Sequence, residues 1–301
     1  MAWERSEVPS KRRTWVSFLG RVLQVSRELT CELRQQDIPS SGRLSHKPES
    51  TFALYAANLA VYSGVIPDYA SKAVGQLGHL CRSFGLGWQE VLANDAYCRS
   101  RKGRLYLELG GDTYYEHPLY ASHLWVENVA ARRVYFAFRI KEELVQAGFE
   151  LPQLRLLEVG CGLGGTIHLF EESKERVGVD LSPVATRACQ AISDGKEHYA
   201  VMDGRNMGFS SGEFDLVLCF DVLEHLGDPE AALAEIARVA VEGGRIAIVY
   251  PFGDREWDSH ISLVEVDRFE QWLDHLALEV RARLKAPGEE FPCSICYILS
   301  K

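Results

Sequence analysis

Between Leu154 and Gly165 the chain reads LRLLEVGCGLGG, an apolar run that stops in a turn carrying four glycines in six positions. A short apolar run of this kind suits a strand buried on both faces. The glycines permit positive φ and the close approach of a ligand or another backbone. The segment predicts a strand, a tight turn and a helix from about Gly165, whose first N–H groups are free to meet an anion.

The residues that follow repeat the alternation. RVGVD precedes a helix after Pro183; HYAVMD and FDLVLCF are the next strands. DPEAALAEIARVA reads as a helix with Asp228 as its N-cap and Pro229 at its first position. RIAIVYP is a strand and DRFEQWLDHLA a helix. Only APGEEFP separates the closing strands LEVRARLK and CSICYIL, so they form a hairpin with the last strand antiparallel. The fold class is therefore α/β: a mostly parallel, doubly wound, Rossmann-like sheet covered by helices on both faces.

Residues 1–150 have a different texture and read as a mainly helical region ahead of the sheet domain, 151–301. TWVSFLGRVLQVSRELTCELRQ has helical apolar spacing, and DIPSSGRLSHKPES, Asp37 to Ser50, is a polar linker. TFALYAANLAVYSG and YASKAVGQLGHLCRSFG are again helical. GRLYLELGG reads as a short strand, and the segment from Pro118 to Gly148 as one long helix.

Composition narrows the partners. The 301-residue chain has a formal net charge of -9, which disfavours long nucleic acid, where affinity comes largely from neutralising phosphates. No apolar run reaches the roughly 18 residues of a membrane span. Eight scattered cysteines suggest no disulfide framework, and Cys293 and Cys296 read as two thiols of a core strand. The expectation is a cytoplasmic chain with a small-molecule partner and room for a homodimer.

The glycine turn alone suits any adenosine-containing cofactor. Gly160, Gly162 and Gly165 satisfy the dinucleotide fingerprint, and Asp180 ends the second strand where an acid accepts from ribose hydroxyls. Glu158 pulls the other way, because a carboxylate beside the turn repels a pyrophosphate and suits a cofactor cationic at that end. Asp203, in Met202-Asp203-Gly204 at the end of the third strand, can accept from an adenine amino group.

Taken in order, LLEVGCGLGG, VGVDLSP, MDG, FDLVLCFDVLEHL and EGGRIAIVYP resemble the successive motifs of the class I S-adenosylmethionine-dependent methyltransferases, over about Leu154 to Lys301. The resemblance implies a seven-stranded sheet with an antiparallel last strand, S-adenosylmethionine as cofactor and methyl transfer as activity. It implies that Gly160, Gly162 and Gly164, with Cys161 between, line the methionine part, and that Glu158 orients its ammonium. Asp180 takes the ribose hydroxyls and Asp203 the adenine amine. Leu181 and Met202 flank the ring, with Gly204 and Phe220 completing the lining.

Methyl transfer needs an acceptor atom held in line with an already activated carbon, water excluded, and, for a hydroxyl, a route for its proton. Asp221 and His225 follow the fourth strand and His260 follows the fifth, on the edge where open α/β sheets bind ligands. These three are the catalytic candidates. D-x-x-E-H plus a later His also resembles the E-x-x-E-H metal set of small-RNA 3′-terminal 2′-O-methyltransferases and ubiquinone-pathway O-methyltransferases, with Asp here in place of the first Glu. On that resemblance Asp221, Glu224, His225 and His260 would be ligands of a divalent metal acting on vicinal oxygens of a catechol-like ring or an RNA 3′ end. The favoured reading has no metal and transfers the methyl to a small molecule at oxygen. The sequence also admits a protein as methyl acceptor, or a methyltransferase fold that is catalytically inert and only binds.

In the first half, GDTYYEHPLYASHLW marks a lid over cofactor or substrate, with Tyr114, Tyr115, His117 and His123 as contacts. Trp257, in the loop after the fifth strand, is a further substrate candidate. Tyr120 and Trp125 read as an aromatic seam between the halves, Arg132 and Arg133 as a solvated helix face from which one could instead meet an anionic substrate, and His168 as buried structure.

Overall fold

A computed structural model describes residues 48–301 apart from 67, 102–103, 194, 254–257 and 287–292, together with Gln24, Arg27 and Cys31. Most of the first expected helix, most of the linker and Trp257 fall outside the described residues.

The first half is helical: α1 (Pro48–Ser63), α2 (Tyr69–Phe84), α3 (Trp88–Ser100), the short α4 (Tyr106–Leu109) and α5 (Gly111–Tyr114), α6 (Pro118–Glu127) and α7 (Ala131–Gln146). Two expectations fail there. Within GRLYLELGG, Tyr106–Leu109 is a helical turn rather than a strand, because the Asp258 carboxylate accepts from the N–H groups of Tyr106 (3.1 Å) and Leu107 (3.2 Å). That N-cap comes from the far end of the chain, beyond the reach of local pattern. The long helix from Pro118 divides after Glu127. At the break Asn128 Nδ2 donates to the Tyr69 hydroxyl (3.2 Å) and Gln76 Oε1 (3.3 Å), and its carbonyl lies against Gly165.

The second half runs β1 (Arg155–Val159), β2 (Glu175–Asp180), α8 (Pro183–Gln190), β3 (Glu197–Val201), β4 (Phe214–Phe220), α9 (Pro229–Val239), β5 (Ala240–Phe252), α10 (Val266–His275), β6 (Glu279–Lys285) and β7 (Cys293–Ser300). The seven strands form one sheet in the order β3-β2-β1-β4-β5-β7-β6. β1 to β5 pair in parallel, whereas β7 pairs antiparallel with both β5 and β6, as the hairpin required. Asp228 caps α9 as expected, accepting from Ala231 N–H at 3.0 Å. The helix expected from Gly165 shrinks to a single 3₁₀ turn, Ile167–Phe170.

Period-two alternation sends successive strand residues to opposite faces, and both faces are buried. Leu156, Leu216, Leu218 and Ala247 pack in one cluster with Tyr55, Trp125, Phe136 and Ile140. Leu157, Val217, Cys219 and Ile248 pack in the other with Leu233, Ile236 and Phe269. The N-terminal helices thus cover one face of the sheet and share its core. Their ends reach the carboxyl ends of β1 and β4, where strand order reverses and open sheets form their crevice.

Candidate functional site

The turn after β1 is shaped by what approaches it. Gly160, Gly162 and Gly164 have φ of +69°, +52° and +79°. A Cβ on Gly160 would lie 2.2 Å from Val222 Cγ2, and one on Gly165 1.9 Å from the Asn128 carbonyl oxygen. Two N–H groups, of Gly160 and Cys161, donate to the Val179 carbonyl at 2.8 and 2.9 Å. Asp180 then ties the turn to β2: its Oδ2 accepts from Gly162 N–H (2.8 Å) and its Oδ1 from Ser182 N–H (2.9 Å). Each oxygen keeps a further acceptor site. Burial pushes the Asp180 pKa up, and these backbone donors pull it back.

Above the turn lies a cleft of about 900 Å³. Leu181, Met202, Asp203 and Gly204 line it together with Asp180, and Gly160, Cys161, Gly162 and Phe220 line it along the turn and β4. Leu181 is 54% exposed, a large apolar side chain held open to solvent. Asp203 is gripped by Arg205, whose guanidinium holds its pKa below the ordinary carboxylate value.

Two residues expected in the lining are elsewhere. Gly164 faces His168 and Tyr199 in the core, and Gly165 takes its place beside the cleft. Glu158 is fully buried beneath the turn, where its Oε2 accepts from Ile167 N–H at 2.9 Å. Burial pushes the Glu158 pKa up to about 7, with the Arg133 guanidinium pulling against it. The bond also corrects the expected anion seat, since this carboxylate already takes a leading donor of the short 3₁₀ turn.

A second cavity of about 900 Å³ adjoins the first, and Tyr120, Leu124, Arg133, Asp221 and His225 line both. Its other walls are polar, with Tyr114, His123, Glu127, Arg132, Glu224, Ser259, His260 and Ser294 among them. His225 and His260 meet here, ring centroids 5.0 Å apart. His225 Nδ1 lies 2.8 Å from the Ser259 carbonyl. Nδ1–H donates to it, leaving Nε2 as the acceptor nitrogen. Burial and the neighbouring His260 lower the His225 pKa to about 4, so the ring is neutral near pH 7.

Asp221 stands apart from the histidines. It has φ of +57°, rare for a non-glycine residue, and its Oδ2 accepts from Arg132 Nη2 at 2.8 Å with Arg133 Nη2 at 3.6 Å. The expected metal set likewise divides: Glu224, His225 and His260 each offer a ligand atom within 4.8 Å of the others, without Asp221.

The expected lid is partly drawn in. Tyr115 lines the first cleft and Tyr114 the second, whereas His117 accepts from Leu119 N–H and caps α6. His123 lines the second cavity with its Nδ1 2.7 Å from Asp95. Tyr120, expected in the seam, lines both spaces; Trp125 is buried within the helical half, stacked on Tyr55 at 4.0 Å, in the core cluster that half shares with the sheet. His168 is buried, as expected.

Arg132 and Arg133 overturn the expectation of a solvated face. Arg133 shares the stripe of Ala137, Ile140 and Leu144, all buried, and Arg132 that of buried Phe136. This spacing is the signal that places them inward, masked because two adjacent arginines resemble a polar face.

Residues 157–248 match the family model described as a methyltransferase domain. The chain is 35% identical over 101 residues to norajmaline N-methyltransferase of Rauvolfia serpentina, covering 31% of this chain and 35% of that enzyme. It is 35% identical over 103 residues to a chloroplastic tocopherol O-methyltransferase of Arabidopsis thaliana, covering 32% and 29%. A ubiquinone biosynthesis O-methyltransferase of Xanthomonas oryzae is 31% identical over 116 residues, covering 36% and 47%. The chain thus spans between a quarter and a half of the length of these relatives. Magnesium protoporphyrin IX methyltransferase of Synechocystis, solved with bound S-adenosylhomocysteine, superposes at a TM-score of 0.49 and 16% identity, covering 67% of this chain and 99% of that one. Residues 157–248 of this chain thus carry a methyltransferase domain, set in a seven-stranded sheet of order β3-β2-β1-β4-β5-β7-β6.

Proposed function

We propose that this protein transfers a methyl group from S-adenosylmethionine to a small polar acceptor, at a hydroxyl oxygen, with the acceptor seated in the second cavity. One observation carries the reading: the cleft over the glycine turn opens into a walled cavity, with Tyr120, Leu124, Arg133, Asp221 and His225 common to both.

The cleft fits the cofactor. Asp180 keeps acceptor sites for two ribose hydroxyls, and Leu181 and Met202 offer apolar surface to a ring. A Cβ at Gly160 or Gly165 would fill space that the turn and its neighbours already occupy. When bound, the cofactor supplies an electrophilic methyl on a sulfonium. The chain's own residues do the rest. Tyr120 and Leu124 exclude water at the junction, and the Arg132–Asp221 pair holds α7 against the end of β4. His225, neutral and with Nε2 as its acceptor nitrogen, would take the proton of the acceptor hydroxyl. The polar walls favour a hydrophilic acceptor.

A second reading is favoured by the convergence of Glu224, His225 and His260. One carboxylate and two imidazoles suit zinc or a comparable first-row divalent ion. Those three would hold it, and it would polarise the acceptor oxygens.

Purified protein, S-adenosylmethionine labelled in its methyl group and a panel of hydroxylated acceptors test both. Labelled product and S-adenosylhomocysteine appearing together support methyl transfer. A chain that binds neither S-adenosylmethionine nor S-adenosylhomocysteine refutes it. Turnover that survives thorough chelation eliminates the metal reading.

A further inference from the structure

The cofactor implied by the methyl-transfer reading, on which this inference rests, carries an α-carboxylate besides its two cationic centres. That carboxylate needs a cation or a set of free N–H groups. The short 3₁₀ turn is a poor source, because Ile167 N–H is committed to Glu158. Among the described lining residues of the cleft, Asp180, Asp203 and Asp221 are acids, and Arg133 is the one arginine or lysine.

Arg133 is placed for the task. It is the third residue of α7, where the helix dipole adds positive potential. Its Nη1 donates to Thr166 Oγ1 at 2.8 Å, one residue past the glycine turn, and its Nη2 lies 3.6 Å from Asp221. The side chain is 14% exposed, and its Nε is buried with no hydrogen-bond partner. A guanidinium so withdrawn from water is costly unless anions accompany it, and Asp221 is a partner only at 3.6 Å.

We propose that Arg133, supplied by the helical N-terminal region, is the residue that binds the α-carboxylate of S-adenosylmethionine. The cleft then divides the cofactor by charge: Asp180 and Asp203 serve the nucleoside end, and Arg133 the amino-acid end. The residue lies outside the 157–248 match, so the domain depends on its helical cap for cofactor affinity.

The test is calorimetric and uses the full chain. S-Adenosylhomocysteine carries the carboxylate; 5′-methylthioadenosine keeps the nucleoside and thioether but lacks the amino-acid end. Wild-type protein, Arg133→Met, Arg133→Lys and Arg133→Gln are titrated with each, after thermal unfolding confirms which variants fold. Arg133→Met should weaken S-adenosylhomocysteine at least tenfold, about 1.4 kcal/mol, and leave 5′-methylthioadenosine within about twofold. Arg133→Lys should recover part of the loss. Should Arg133→Met fail to fold, Arg133→Gln carries the same comparison. Unchanged S-adenosylhomocysteine affinity in a folded variant overturns the proposal, as does equal weakening of both ligands. Wild-type protein that binds neither ligand overturns the methyl-transfer reading itself, and this inference with it.

Discussion

The two adjoining spaces are assembled in different ways. The floor of the first is made by residues close in sequence, from Val159 to Gly165, with Asp180 and Met202 to Gly204 at the ends of the neighbouring strands. The second draws its wall from α5, α6, α7, the segment after β4, the end of β5, the segment after it and the start of β7. A turn that closes on itself can be read locally. A cavity assembled from so many separate segments exists only after the chain has folded.

If the two spaces have separate jobs, variants should separate binding from turnover. The largest effect is expected from His225→Gln, which keeps a donor for the Ser259 carbonyl and loses the imidazole. Turnover should fall on the order of 100-fold, with S-adenosylhomocysteine affinity unchanged by calorimetry. An equal loss of both would mean that His225 serves the cleft. Asp180→Ala should do the converse, weakening S-adenosylmethionine binding at least tenfold. Unchanged affinity there would move the ribose elsewhere.

Glu158 and His225 also separate through pH, and the signs are opposed. The folded pKa of Glu158 is raised to about 7 from an ordinary 4.5. The folded chain therefore holds this proton more tightly, and stability declines as pH rises from 4.5 to 7. The folded pKa of His225 is lowered to about 4 from 6.5, so its contribution declines as pH falls through that window. The slopes partly cancel in the wild type. Glu158→Gln should remove the first slope and raise the melting temperature of the ligand-free protein at pH 8 relative to wild type; an unchanged difference between pH 5 and pH 8 would contradict the buried placement. The smallest effect belongs to Asp203→Ala. Its carboxylate is part-exposed and held by Arg205, so cofactor affinity should fall only a few-fold, as titration of both variants with S-adenosylhomocysteine can measure.

Most of the sheet is legible in the sequence because each strand is a short apolar run closed by a turn signal. β4 is FDLVLCF to the residue, and the antiparallel ending follows from a connection too short for a crossover. Legibility ends where a distant group decides local structure: Asp258 makes a helical turn of Tyr106–Leu109, and Asn128 with Tyr69 and Gln76 breaks the helix after Pro118. The same holds for function. The place of Asp180, Met202 and Asp203 in the cleft lining is legible, since each ends or follows a strand. Glu158 looks from sequence as though it faces the ligand, but strand alternation and the 3₁₀ turn bury it. Asp221 looks like a base, and only the fold brings Arg132 and Arg133 to it across the sheet edge.

A crystal structure with S-adenosylhomocysteine bound tests the joined site most directly. The account predicts its sulfur at the shared wall beside Tyr120, Asp221 and His225, facing the second cavity, with its carboxylate on Arg133. A sulfur turned away from that cavity, with His225 and His260 remote from the path of the methyl group, would contradict it.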